Sequence, residues 1–423
     1  MTLRLRPHAP HLAAALLPAA LLAACAPAAR TPARPAPAGP SFPFGGVGRA
    51  DPVAPGVVHE AFVVREGAGR GRWAVHVVRA APGACVAARK AGGAAVGRAT
   101  TSAIAAGRAA RDSAARDSAS RDSSIVAAVN ADFFTFTPPG VPVSGHVERG
   151  RVIAGPTTRP VFAVDSAGRP WIGQLATVGG LVRDGADTLP VSAWNRGADS
   201  GVTVFDAGWG VRTDSAAPRL FVRMHTDRRP DAGGTGGPGA PARYRVGALD
   251  TGAVTGLRPG SLVVAVGASA PEELRARWAA LRPGNLLDFA VALTPVRPRD
   301  AVGGQPVLVR AGAVTADVDT VGSATFRGPN PRTAVGITAD GGLLLVTIDG
   351  RQPGHSDGAT LRGTAELLRA LGAVTALNLD GGGSTPMVVR DSTGRLAVVN
   401  RPSDAEGERP VANALAVRTC AAP

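Results

Sequence analysis

A chain of 423 residues can bury one large core or two modest ones. Its formal charge of +14 at pH 7 comes almost wholly from arginine, Lys90 being the sole lysine, and the arginines are scattered through an Ala-, Gly- and Pro-rich sequence. With 4% aromatic residues and no basic stripe, the charge reads as compositional and excludes nucleic acid as the expected partner.

The N-terminus predicts export. Arg4 and Arg6 precede an apolar run from Leu12 to Ala24, the length of a signal-peptide core and too short to span a bilayer as a mature helix. It ends in Leu22-Ala23-Ala24-Cys25, which resembles a bacterial lipobox; residues 1–24 are then a signal peptide and Cys25 the site of lipidation, anchoring the protein to a membrane. Residues 25–56 are Pro- and Ala-rich and poor in large apolar side chains, as expected of a tether. With Cys25 lipidated, only Cys85 and Cys420 remain, and an exported compartment permits them to pair.

A folded domain is expected over 57–421. "WAVHVVRA" (73–80) reads as a strand, and "PVFAVDSAGRPWIGQL" (160–175) as a hairpin turned at Ser166-Ala167-Gly168. Two polar, low-complexity insertions interrupt the pattern near 108–124, with its Arg-Asp-Ser repeat, and near 228–242. "SLVVAVGAS" and "LLDFAVAL" read as strands flanking the short helix "PEELRARWAALR", whose proline suits a first turn.

Further on, "GATLRGTAELLRALGA" (358–373) has Leu361, Ala365, Leu368 and Leu371 at helical spacing, closed by Gly372. "GGLLLVTIDGR" before it and "VTALNLDGGGS" after it both read as strands ending in Asp-Gly. A right-handed crossover would make the two strands parallel and bring Asp349, Arg351, Asp380 and Ser384 to one sheet edge. The expected fold class is therefore α+β: a mixed β-sheet core with flanking helices and a strand-helix-strand unit carrying the site. Gly381, Gly382 and Gly383 would let backbone amides approach a ligand without Cβ interference.

The stretch from "RTAVGITADGG" through "LDGGGSTPMVV" to "NRPSDAEGERPVANALAV" resembles the phosphodiester glycosidase family, and the likeness extends upstream through "GGQPVLVRAG" and "AAVNADFF" to cover roughly 57–420. The resemblance implies hydrolysis of a sugar 1-phosphodiester, with N-acetylglucosamine as one such sugar. A phosphate leaving group calls for cationic stabilisation, and Arg332, Arg351 and Arg409 fall within the motifs, backed by the three glycines and Ser384. An oxocarbenium-like transition state calls for a carboxylate, and Asp380, then Asp132, then Asp349 are the candidates in that order.

Asn130, Asn378, Ser356 and His146 are expected to contact sugar hydroxyls or to hold the carboxylates; His355 is a further acid, base or ligand candidate. No cofactor is expected. No His/Cys/carboxylate spacing is a transition-metal signature, although a cation bridging aspartates at strand ends would leave none. The competing class is a noncatalytic glycan- or glycopolymer-binding lipoprotein, which would not need all three aspartates.

Overall fold

The computed structural model describes residues 48–65, 71–107, 124–197, 200–210, 220–227, 243–251 and 257–420. The chain divides into Met1–Ala38 and Gly39–Pro423, and the first unit lies outside the described residues. So do the signal peptide, Cys25, the Arg-Asp-Ser repeat and the second insertion.

The expected α+β class is overturned. Among the described residues, strands dominate and pair almost entirely antiparallel in four sheets, two of eight strands and two of five. The first large sheet runs, in spatial order, Arg49–Ala54, Val57–Arg65, Arg72–Ala80, Leu343–Ile348, Arg332–Thr338, Ala373–Asn378, Val307–Arg310 and Ala313–Val314. Its first strand lies inside the segment read as tether.

The strand-helix-strand unit exists, but its two strands are not neighbours. Arg332–Thr338 lies between Leu343–Ile348 and Ala373–Asn378 and pairs antiparallel with each. The cause is local: Thr338 and Gly342 close a tight turn, so Leu343–Ile348 folds straight back on the strand before it. Arg72–Ala80 takes the other edge of Leu343–Ile348, and the strand that follows the helix adds beyond Arg332–Thr338. Both flanking strands still run the same way, so Asp349 and Asp380 end at the same rim.

The Leu361–Ala370 helix forms where its apolar stripe predicts. Thr360 caps it by accepting from the Gly363 amide at 2.9 Å, and Leu361, Ala365, Leu367 and Leu368 are buried against Trp73, Val75, Leu344 and Val346 of the sheet. Glu272–Ala279 is the other helix that the sequence signalled.

The opposite face of this sheet packs on a five-stranded sheet containing Cys85–Lys90, Ile125–Asn130 and Asn413–Arg418. Val78, Val335, Leu345 and Leu377 meet Val86, Val129, Leu415 and Val417 in one core. Both faces of the sheet are thus apolar, one turned to the helix and the other to the second sheet, so its central strands are buried along almost their whole length. A disulfide joins Cys85 and Cys420, their Cα atoms 5.2 Å apart, at the end of the Cys85–Lys90 and Asn413–Arg418 pair. The 160–165 and 170–174 hairpin turns at residues 166–168 as its sequence predicts. No described helix is long and apolar enough to cross a membrane.

Candidate functional site

The site lies where strands of the two packed sheets end. Ile125–Asn130 delivers Asp132 and Ala373–Asn378 delivers Asp380; the two ends are stitched together by the Asp380 amide donating to the Ala131 carbonyl at 2.7 Å. Asn130 reinforces the seam, its Nδ2 donating to the Asp380 carbonyl at 2.6 Å and its Oδ1 accepting from Thr333 Oγ1 at 2.6 Å. Asn130 thus holds backbone in place.

Asp132 is 1% exposed and accepts from the Ser144 amide (2.7 Å), Ser144 Oγ (2.8 Å) and the Gly145 amide (3.2 Å). Burial pushes its carboxyl up to about 6, against the pull of those donors and of the Arg196 cation. Asp380 is half-buried and accepts from the Gly381 amide at 2.9 Å and from Ser384. Desolvation pushes it up to about 7; Ser384, the Gly381 amide and Arg409 oppose the rise, and the Asp132 charge adds to it. The two carboxyls are close enough for the charge of Asp132 to disfavour that of Asp380.

The three glycines each answer a different constraint. A Cβ on Gly381 would lie 2.6 Å from the Pro331 carbonyl oxygen, Gly382 has φ of +63°, and a Cβ on Gly383 would strike the Asp404 carboxylate and the Arg409 guanidinium. Over Gly382 lies the Arg351 fork, with Nη1 3.2 Å from where a Cβ would stand. Arg351 is exposed, takes a left-handed φ of +58°, and donates from Nη2 to Asn330 Oδ1 at 2.8 Å. It is an anion-seeking group in open view, over the glycine turn that follows Asp380.

Of the other two motif arginines, Arg409 chelates Asp404 through Nε (2.8 Å) and Nη2 (3.1 Å) and is close enough to Asp380 to favour its charge. Arg332 is 2% exposed; its Nε and Nη2 donate to the carbonyls of Ala359, Phe326 and Gly328, and its guanidinium lies 5.7 Å from the centre of the Phe326 ring. Burial, then the neighbouring Arg351 charge, pulls it down to about 10. Arg332 braces the corner that carries Arg351.

Asp349 is engaged by the loops around it. Fully buried, it accepts from His355 Nε2 (2.8 Å), Asn400 Nδ2 (2.8 Å) and the Arg401 amide (3.1 and 3.2 Å), pinning the 350–358 loop to the 400–402 segment. Ser356 completes that knot, donating to the Asp349 carbonyl at 2.6 Å and accepting from the Ala74 amide at 3.0 Å. Asn378 donates to the Gln305 (2.7 Å) and Leu379 (2.8 Å) carbonyls. His146, buried and held below its ordinary value by desolvation, pairs with Asn413, whose Oδ1 accepts from the Asp132 amide at 2.9 Å.

Several contributors escaped the sequence reading. Asn413 and Asp404 lie inside stretches that carry the family likeness, so closer inspection of their polar side chains would have found them. Arg196, in "WNRG", has no motif to distinguish it from the chain's other arginines. Among the described residues, no three His, Cys, Asp or Glu side chains converge as a metal site.

Fold and site together define a β-rich, antiparallel protein whose strand ends gather a desolvated carboxyl pair beside a glycine turn and an exposed arginine fork. Residues 250–418 match the family model of phosphodiester glycosidases, a segment holding Asp349, Asp380, Arg332, Arg351 and Arg409 but neither Asp132 nor Arg196. The resemblance carried by the motifs is thereby established over that segment.

Two crystal structures share the fold. One is a hypothetical protein from Synechocystis, at TM-score 0.66 and 21% identity, covering 88% of this chain and 64% of that one, so the chain spans under two thirds of its length. The other is a candidate exported protein from Burkholderia pseudomallei K96243, at TM-score 0.60 and 24% identity, covering 84% and 75%. The zebrafish N-acetylglucosamine-1-phosphodiester alpha-N-acetylglucosaminidase catalytic domain, auto-inhibited by its pro-peptide, aligns at TM-score 0.44 and 15% identity over 88% of both chains, too distant to bear on the fold. No curated protein matches the chain.

Proposed function

We propose that the chain is an exported, membrane-anchored glycoside hydrolase that cleaves the bond between a sugar, N-acetylglucosamine among the candidates, and phosphate in a sugar 1-phosphodiester. The observation that carries this reading is the Asp380–Asp132 pair, assembled from two sheets and pushed toward neutrality beside the Arg351 fork.

Asp380 is the more exposed of the two and is assigned to the anomeric carbon, where its carboxylate meets developing positive charge. Asp132, enclosed by Ser144 and Gly145, acts behind it by setting its charge. Arg351, with Arg409 on the other side of the turn, is assigned to the phosphate, whose second pKa near 6 lets it leave with little protonation. Turnover then declines as pH falls below about 7, because Asp380 takes up a proton and loses the charge it needs. Export and anchoring rest on Arg4, Arg6, the Leu12–Ala24 run and Cys25, and an oxidising compartment suits the Cys85–Cys420 bridge.

The test is incubation of the protein with a panel of sugar 1-phosphodiesters, following free sugar and phosphomonoester together. The reading expects equimolar release from at least one member, and a KM raised about tenfold by Arg351→Lys, which keeps the charge but loses the fork. Binding without release from any member would favour the noncatalytic lipoprotein instead.

A further inference from the structure

Arg196 follows the short Ala193–Trp194 strand of the second eight-stranded sheet, far in sequence from every motif. Its Nη1 donates to the Val143 carbonyl at 3.1 Å, and its Nη2 to the carbonyls of Pro142 (3.3 Å) and Gly155. The next amide along, Ser144 N–H, donates to Asp132 at 2.7 Å. The Val143 carbonyl and the Ser144 amide belong to one peptide group. A single planar amide therefore has a guanidinium on its oxygen and a carboxylate on its hydrogen, so each hydrogen bond polarises the other.

We infer that Arg196 is a positioning residue that holds the negative charge of Asp132 in place behind Asp380, acting through the Val143–Ser144 peptide. The inference rests on the proposed pairing of the two aspartates. A backbone staple alone would not account for the site's cost: Nε of Arg196 is buried without a partner, and burial pulls the guanidinium down to about 10 while the Asp132 charge opposes that fall. Its charge lies close enough to Asp132 to favour the carboxylate, with the Val143–Ser144 peptide between them. The charged groups bearing on Asp132 are Arg196 and, across the seam, Asp380; Asn413 meets its amide and links onward to His146.

The test reads Asp132 directly and needs no substrate. Aspartate carboxyls carrying carbon-13 are titrated by NMR in the full chain with Asp380→Asn, which removes the second titrating partner; Asp132→Asn identifies the resonance. Arg196→Met is expected to raise the Asp132 midpoint by about one unit, as loss of a nearby opposite charge does. Arg196→Lys should restore most of it. Arg196→Gln, which keeps donors for the carbonyls but no charge, should behave as the methionine variant does and decides the matter if that variant fails to fold.

An unmoved midpoint in the uncharged variants, with only a lowered melting temperature, would overturn the inference and reduce Arg196 to a staple. The hydrolase reading would survive that result, because release of sugar and phosphomonoester is measured separately.

Discussion

At the scale of single residues, Asp380 carries opposing consequences for activity and stability. Its folded-state value, about 7, lies above that of an unfolded aspartate, so the folded protein binds the proton more tightly. The charge therefore costs stability as pH rises from about 4 to about 7, and the cost stays in full above that. Asp380→Asn should abolish turnover, by roughly a thousandfold or more. It should also raise the melting temperature at pH 8, a gain of a few kcal/mol at most, roughly, that vanishes near pH 4. Melting curves at the two pH values check it; equal destabilisation at both would mean that the carboxylate is structural. Sequence reading reached Asp380 because an apolar strand breaking at Asp-Gly-Gly-Gly is conspicuous. It could not reach Arg196, whose link to Asp132 runs through a loop peptide, Val143–Ser144, that begins 53 residues earlier in the chain.

Among elements, the helix and its flanking strands were legible because each carries its own period, while their adjacency was not. Whether two strands pair depends on what else claims their edges, and Arg332–Thr338 claims both. Its composition, "RTAVGIT", holds small residues and no long apolar run, so it reads quietly beside "LLLVTI". The two loud strands alone point to a parallel crossover. The rim survived the error because inserting one antiparallel strand leaves its two neighbours running the same way. Helix stability is testable at its cap: Thr360→Ala removes the acceptor of the Gly363 amide and should cost about 1 kcal/mol by denaturant unfolding. Turnover should be unchanged at temperatures well below the melt. A loss of activity without a loss of stability would mean that the helix start has a role in the site.

For the whole molecule, the Cys85–Cys420 bridge closes a loop spanning 335 residues of sequence separation. In the chain-entropy view, removing it should destabilise the domain by about 5 kcal/mol, less if the unfolded chain keeps structure. Melting with and without reductant, against Cys85→Ser with Cys420→Ser, checks this; identical curves would show that the sheet ends hold without it. The pairing was reachable from cysteine count and the export signal, whereas the sheet architecture was not: many short Val- and Ala-rich strands look alike, and nothing local assigns them to four separate sheets. Surface arginines such as Arg243, Arg245 and Arg362 are tied to neighbouring aspartates.

The central claim is that the bond broken lies on the sugar side of the bridging oxygen, at the carbon Asp380 faces. Hydrolysis of any substrate found in the panel, run in water enriched in oxygen-18, tests it by mass spectrometry of the released phosphomonoester. Attack at the anomeric carbon leaves the phosphate unlabelled, which is the expected result; oxygen-18 in the phosphomonoester would mean attack at phosphorus, and the glycosidase account would be wrong.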